Sequence, residues 1–61
     1  MKDELKYKGF NGSVHWSPMD GVFFGKIEGI QDLVTFEGTT VEELEIGFQS
    51  MVDELILERG E

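Results

Sequence analysis

His15 is the chain's one histidine, and Ser13 and Ser17 stand two residues to either side of it. A serine–histidine pair would suit nucleophilic catalysis, with the imidazole taking the hydroxyl proton. Neighbours two apart on a strand rarely make a productive general-base contact, and no carboxylate is placed to orient the ring, so a surface or interface histidine is the simpler reading. Asp20, Glu28, Asp32 and Glu37 are hard oxygen donors that would suit a divalent cation if the fold converged them. They fall on turns and strand ends, and read instead as a solvated acidic rim. Gly9 and Gly12 lack the spacing of a phosphate loop. Tyr7, Phe10, Trp16, Phe23 and Phe24 are the residue types of a base-stacking platform. Lys6, Lys8 and Lys26 are too few to hold phosphates against thirteen acidic residues. The aromatics are therefore expected in core and interface. No enzyme, no metal site and no cofactor are expected.

The bulk properties narrow the field further. Sixty-one residues make one domain, read as 1–61, with little surface to bury and marginal stability. Small scaffolds add disulfides, a metal or self-association; with no cysteine, self-association is the expected aid. A net charge of −8 opposes DNA or RNA binding and suits a basic protein partner met by electrostatic steering. No apolar run approaches a membrane span, the first residues lack a signal-peptide core, and the KDEL letters at positions 2–5 are not a C-terminal retention signal. A cytoplasmic protein is the resulting expectation.

The elements that must position these residues are read from periodicity. Leu5 to Phe10 reads as a first strand, Asn11-Gly12 as a hairpin turn, and Ser13 to Ser17 as a second strand with Val14 and Trp16 on one face. Pro18-Met19-Asp20-Gly21 supplies the next turn. Val22 to Glu28 is a third strand with large apolar groups on both faces, where Gly25 suits a close backbone approach. After Gly29, Leu33 to Glu37 reads as a short edge strand. Thr39 to Glu58 is an amphipathic helix with Val41, Leu44, Phe48, Met51, Val52 and Leu55 on its buried stripe. Thr40 and Glu43 form a capping box, Gly60 is the helix stop, and Gly47 costs roughly 1 kcal/mol against alanine, which reads either as close packing there or as a tolerated flaw. Ile46 and Leu57 point away from the stripe. The fold expected is α+β: a three- to four-stranded antiparallel sheet with one helix packed across it.

These elements carry a recognisable wording. Tyr7-Lys8-Gly9 in the first strand, a second strand ending near Ser17, the Asp20-Gly21 turn, and an aromatic strand leading to Gly29-Ile30 come in order. Thr35-Phe36-Glu37-Gly38-Thr39-Thr40-Val41-Glu42-Glu43-Leu44 follows at the start of the helix. In order and spacing the chain resembles the HicB-like antitoxin domain of bacterial toxin–antitoxin pairs. The resemblance implies a partial ribonuclease-H-like sheet without nuclease chemistry. It implies a small basic HicA-like toxin, an RNA-cleaving protein, as partner, and assembly as dimers or tetramers. Many members continue into a DNA-binding domain, and the resemblance is to a short form lacking it, so direct nucleic-acid binding is not expected.

The residues expected to meet the toxin are Asp20, Asp32, Glu42, Glu43, Glu45, Asp53 and Glu54. Those expected at a subunit contact are Val22, Phe24, Ile46 and Leu57. The alternative is an orphan regulatory domain that binds a small molecule or metal in a cavity between sheet and helix, polar at Tyr7 or His15.

Overall fold

Five strands precede one helix in a computed structural model that describes residues 4–58. They are β1 (Glu4–Tyr7), β2 (Phe10–Ser13), β3 (His15–Ser17), β4 (Val22–Glu28) and β5 (Thr35–Gly38), followed by α1 (Val41–Glu58). β1 pairs with β2, β2 and β3 both pair with β4, and β5 takes the opposite edge of β4, all antiparallel. β2 and β3 lie end to end, so the sheet is four strands wide. The helix packs across one face of it. The protein is thus an α+β fold of the expected kind.

The first turn lies elsewhere than the sequence suggests. Tyr7 pairs with Phe10, so Lys8 and Gly9 are the loop, with φ of 50° and 83°. Two consecutive positive values define a two-residue type I′ hairpin. Asn11 and Gly12, the expected turn, are strand residues. Tertiary packing selects this register. Gly12 lies opposite both Leu5 and Ile27, and a Cβ there would stand 2.9 Å from the Phe48 ring. The position must be bare for the helix to lie down, and this outweighs the turn preference of Asn-Gly.

The second strand is also less regular than expected. Gly12 faces Ile27 and His15 faces Phe24, one register on both sides of a break at Val14. At the break the Lys26 N–H donates to Ser13 Oγ at 3.0 Å, where a regular ladder uses a backbone carbonyl. The Ser13 carbonyl lies over Gly25 where any Cβ would sit, the close backbone approach anticipated for this glycine. The edge strand starts two residues later than expected and includes Gly38; Leu33 and Val34 precede it.

Alternation along the strands places Leu5, Tyr7, Phe10, Gly12, Phe23, Gly25, Ile27 and Phe36 on the helix side. Leu44, Phe48, Val52 and Leu55 come down from α1, and with Leu5, Ile27 and Phe36 they form the core. Phe36 and Phe48 meet with ring centroids 5.2 Å apart. Val41 and Met51, expected on the buried stripe, are only half-buried. The helix starts on a cap: the Glu43 N–H donates to Thr40 Oγ1 at 3.1 Å. The return arm reaches one residue further back than a standard box, because Glu43 Oε1 accepts from the Thr39 N–H at 2.9 Å and from its hydroxyl at 2.6 Å. The expected stop at Gly60 lies outside the described residues.

Candidate protein-binding surfaces

The helix contributes the acidic surface. Glu42, Glu43, Glu45, Asp53, Glu54 and Glu58 lie on α1, which has no basic residue anywhere along it. At 100° per residue, Glu42, Glu43, Asp53 and Glu54 project away from the buried stripe together with Ile46 and Leu57. Ile46 is 64 % exposed and Leu57 74 % exposed. The outer face of the helix is therefore acidic with two apolar side chains set into it.

Not every expected acid is equally available. Asp53 accepts from Lys8 Nζ at 3.0 Å and, more weakly, from the Tyr7 hydroxyl at 3.5 Å. These bonds tie the far end of the helix to the β1–β2 hairpin. The Asp53 carboxylate in turn holds the Lys8 ammonium above the usual lysine range. Glu43 is engaged by Thr39, whose hydroxyl and then N–H hold its carboxyl below the usual glutamate value. Asp20 accepts from Ser17 Oγ at 3.2 Å inside the β3–β4 turn. Asp32 is exposed in the loop after β4. Asp20 and Asp32 thus lie on loops, apart from the helical acids, and the seven residues form no single patch.

The four residues expected at a subunit contact also divide. Val22 and Phe24 alternate with Phe23, Gly25 and Ile27, so they face away from α1. Ile46 and Leu57 stand on the outside of α1, on the other side of the molecule. One twofold contact cannot use all four.

The ligand-binding candidates Tyr7 and His15 lie on opposite faces of the sheet, while His15 shares one open depression with Ser13, whose Oγ accepts from the Lys26 N–H. His15 pairs with Phe24 and stacks on its ring at 5.2 Å, on the open face of the sheet. Tyr7 lies on the helix face. The two therefore line no common cavity, and the space between sheet and helix is filled by Leu5, Leu44, Phe48 and Val52, each no more than 1 % exposed. Among the described residues, no three His, Cys, Asp or Glu side chains come together to hold a metal. No described helix is long and apolar enough to cross a membrane.

Sequence reasoning missed Lys8 and Lys26. Lys8 had no turn signal and yet fixes Asp53. Lys26 was counted only as a weak phosphate ligand, although its place beside Phe24 makes it part of the open sheet face. Strand alternation was the available signal for Lys26. For Lys8 there was none, since lysine is an uncommon choice at positive φ.

Fold and surface together define a small two-layer α+β protein. No protein-family model matches the chain, and neither does any curated protein or any solved structure.

Proposed function

We propose that this chain is a protein-binding module of the HicB-like antitoxin type, acting in the bacterial cytoplasm to sequester a small basic HicA-like toxin. The observation that carries the reading is the outer face of α1. It is acidic toward both ends, at Glu42 and Glu43 and at Asp53 and Glu54, holds no cation of its own, and presents Ile46 and Leu57 as apolar anchors. Such a face steers a basic partner by charge and holds it by local burial. The sheet-and-helix architecture is the one the sequence resemblance implies. In this reading the domain does no chemistry: it covers the toxin's RNA-cleaving surface. Glu42, Glu45 and Glu54 supply steering, with Glu43 and Asp53 contributing charge while also serving the fold.

The test is inhibition of RNA cleavage by a HicA-like toxin as the chain is titrated in, repeated at rising salt. Stoichiometric inhibition is expected. Affinity should fall as salt rises, and Ile46→Ala with Leu57→Ala should speed dissociation more than it slows association. Absence of inhibition, or inhibition indifferent to both salt and the two anchors, would remove the proposal.

A further inference from the structure

Asn11 is the chain's one asparagine, and Gly12 follows it. An asparagine followed by glycine is the pair most prone to close on itself, because no side chain shields the glycine nitrogen. In that reaction the Gly12 nitrogen bonds to Asn11 Cγ, the side-chain Cγ–N bond breaks, and ammonia leaves with the proton that the Gly12 nitrogen gives up. The cyclic imide then takes up one water. It opens either to aspartate or to isoaspartate, in which the main chain runs on through the side-chain carbonyl. The sheet blocks this course. Tyr7 and Phe10 close a two-residue hairpin and exchange both ladder bonds, and alternation gives the same to Leu5 and Gly12. The Gly12 N–H is thereby held on the Leu5 carbonyl. Asn11 is extended, opposite Lys6 on one side and Glu28 on the other, with its side chain exposed on the open face. Closing the imide ring would swing Gly12 out of a position that the Phe48 ring overlies.

We propose that Asn11-Gly12 is a self-modification site that the fold holds silent and that reacts only in molecules whose β2 has opened. β2 lies between β1 and β4, and its Gly12 is buried beneath Phe48, so this strand opens only when the core does. The two products then part ways. Aspartate keeps the backbone intact, and its carboxylate stands on the exposed face beside Lys6 as well as Glu28. Isoaspartate lengthens the main chain by one atom in a strand paired on both sides. Gly12 and the residues after it slip out of register, a bare position no longer lies under Phe48, and the core cannot close. Each opening therefore exposes the chain to a step from which part of it does not return, and its lifetime is set by how seldom β2 opens. Any partner that binds only the folded form lengthens that lifetime, whether or not it is the basic protein proposed above.

The experiment incubates the intact chain at neutral pH with and without guanidinium chloride. Mass spectrometry follows the small gain that comes when an amide becomes an acid, and peptide mapping places it at Asn11 and separates aspartate from isoaspartate. The folded chain should react at least about a hundredfold more slowly than the denatured one, since even a small core leaves only a minor open fraction. Thr40→Ala, remote from the site, should speed the folded-state reaction about fivefold. Gly47→Ala should slow it about two- to fivefold. Each should move in step with its own measured unfolding constant and leave the denatured rate unchanged. Isoaspartate-bearing chain, recovered and returned to native buffer, should show no cooperative melt, whereas Asn11→Asp should melt close to the native protein. Equal rates with and without denaturant, a folded-state rate indifferent to stability, or isoaspartate-bearing chain that refolds would overturn the inference.

Discussion

Two glycines show how little space separates a necessary bare backbone from a tolerated one. A Cβ on Gly12 would meet the Phe48 ring at 2.9 Å and Phe36 Cζ at 3.0 Å, and neither aromatic ring can retreat from a filled core. Gly12→Ala is therefore expected to lower unfolding free energy by about 1–3 kcal/mol, the usual cost of overpacking. A Cβ on Gly47 would meet Phe36 Cβ at 3.6 Å and the Glu37 carbonyl at 3.7 Å, ordinary contacts. Gly47→Ala should raise stability by about 0.5–1 kcal/mol through helix propensity. Urea titrations of the two variants, moving in opposite directions, check both. The sequence reads Gly12 as a turn residue and leaves Gly47 open between a tight position and a tolerated flaw. Helix periodicity placed Gly47 on the helix but could not say how closely the neighbouring strand approaches. The Asn-Gly pair gave a strong local signal that packing of Phe48 overrides.

At the scale of elements, the helix start was readable because its signals are local. Thr40 accepts from the Glu43 N–H three residues on, and Glu43 reaches back only as far as Thr39. Thr40→Ala should cost about 1 kcal/mol by leaving the Glu43 N–H without its acceptor, measurable by chemical denaturation. The Glu43 carboxylate gives this cap a pH dependence. Because its folded-state pKa is depressed by Thr39, its contribution is complete above the ordinary glutamate value and is lost as pH falls through the depressed one. Glu43→Gln should flatten that part of the acid limb in melts followed across the acidic range. The break in the second strand was not readable, since it depends on a carbonyl and a hydroxyl from one residue meeting two neighbours on β4. Ser13→Ala should cost roughly 1–2 kcal/mol by stranding the part-buried Lys26 N–H, and thermal melts would register it.

For the molecule as a whole, charge is distributed by face rather than evenly. The charges that α1 itself carries are all carboxylates, with Lys8 reaching Asp53 from the hairpin, while the open sheet face mixes signs. Salt should therefore stabilise the fold: screening the crowded carboxylates of α1 is expected to raise the melting midpoint between low and physiological ionic strength. A fall in the midpoint would mean that the Lys8–Asp53 bridge outweighs the repulsion. Net charge and the acidic helix were visible in the sequence, and alternation along β4 foretold that its two faces differ. Which face the helix would take, and that Ile46 and Leu57 would be parted from Val22 and Phe24, required the three-dimensional arrangement.

The discontinuity at Val14 has a consequence for motion. Leu5, Gly12 and Ile27 lie beneath the helix, whereas Trp16, beyond the seam, stays 48 % exposed, and along the β2/β3 edge of β4 the bonding at the seam passes through one serine hydroxyl. The edge strand β3 can therefore loosen from β4 without melting the roofed half, as a separate unit of opening. Deuterium should enter the ladder amides of His15 and Phe24 well before those of Leu5 and Gly12.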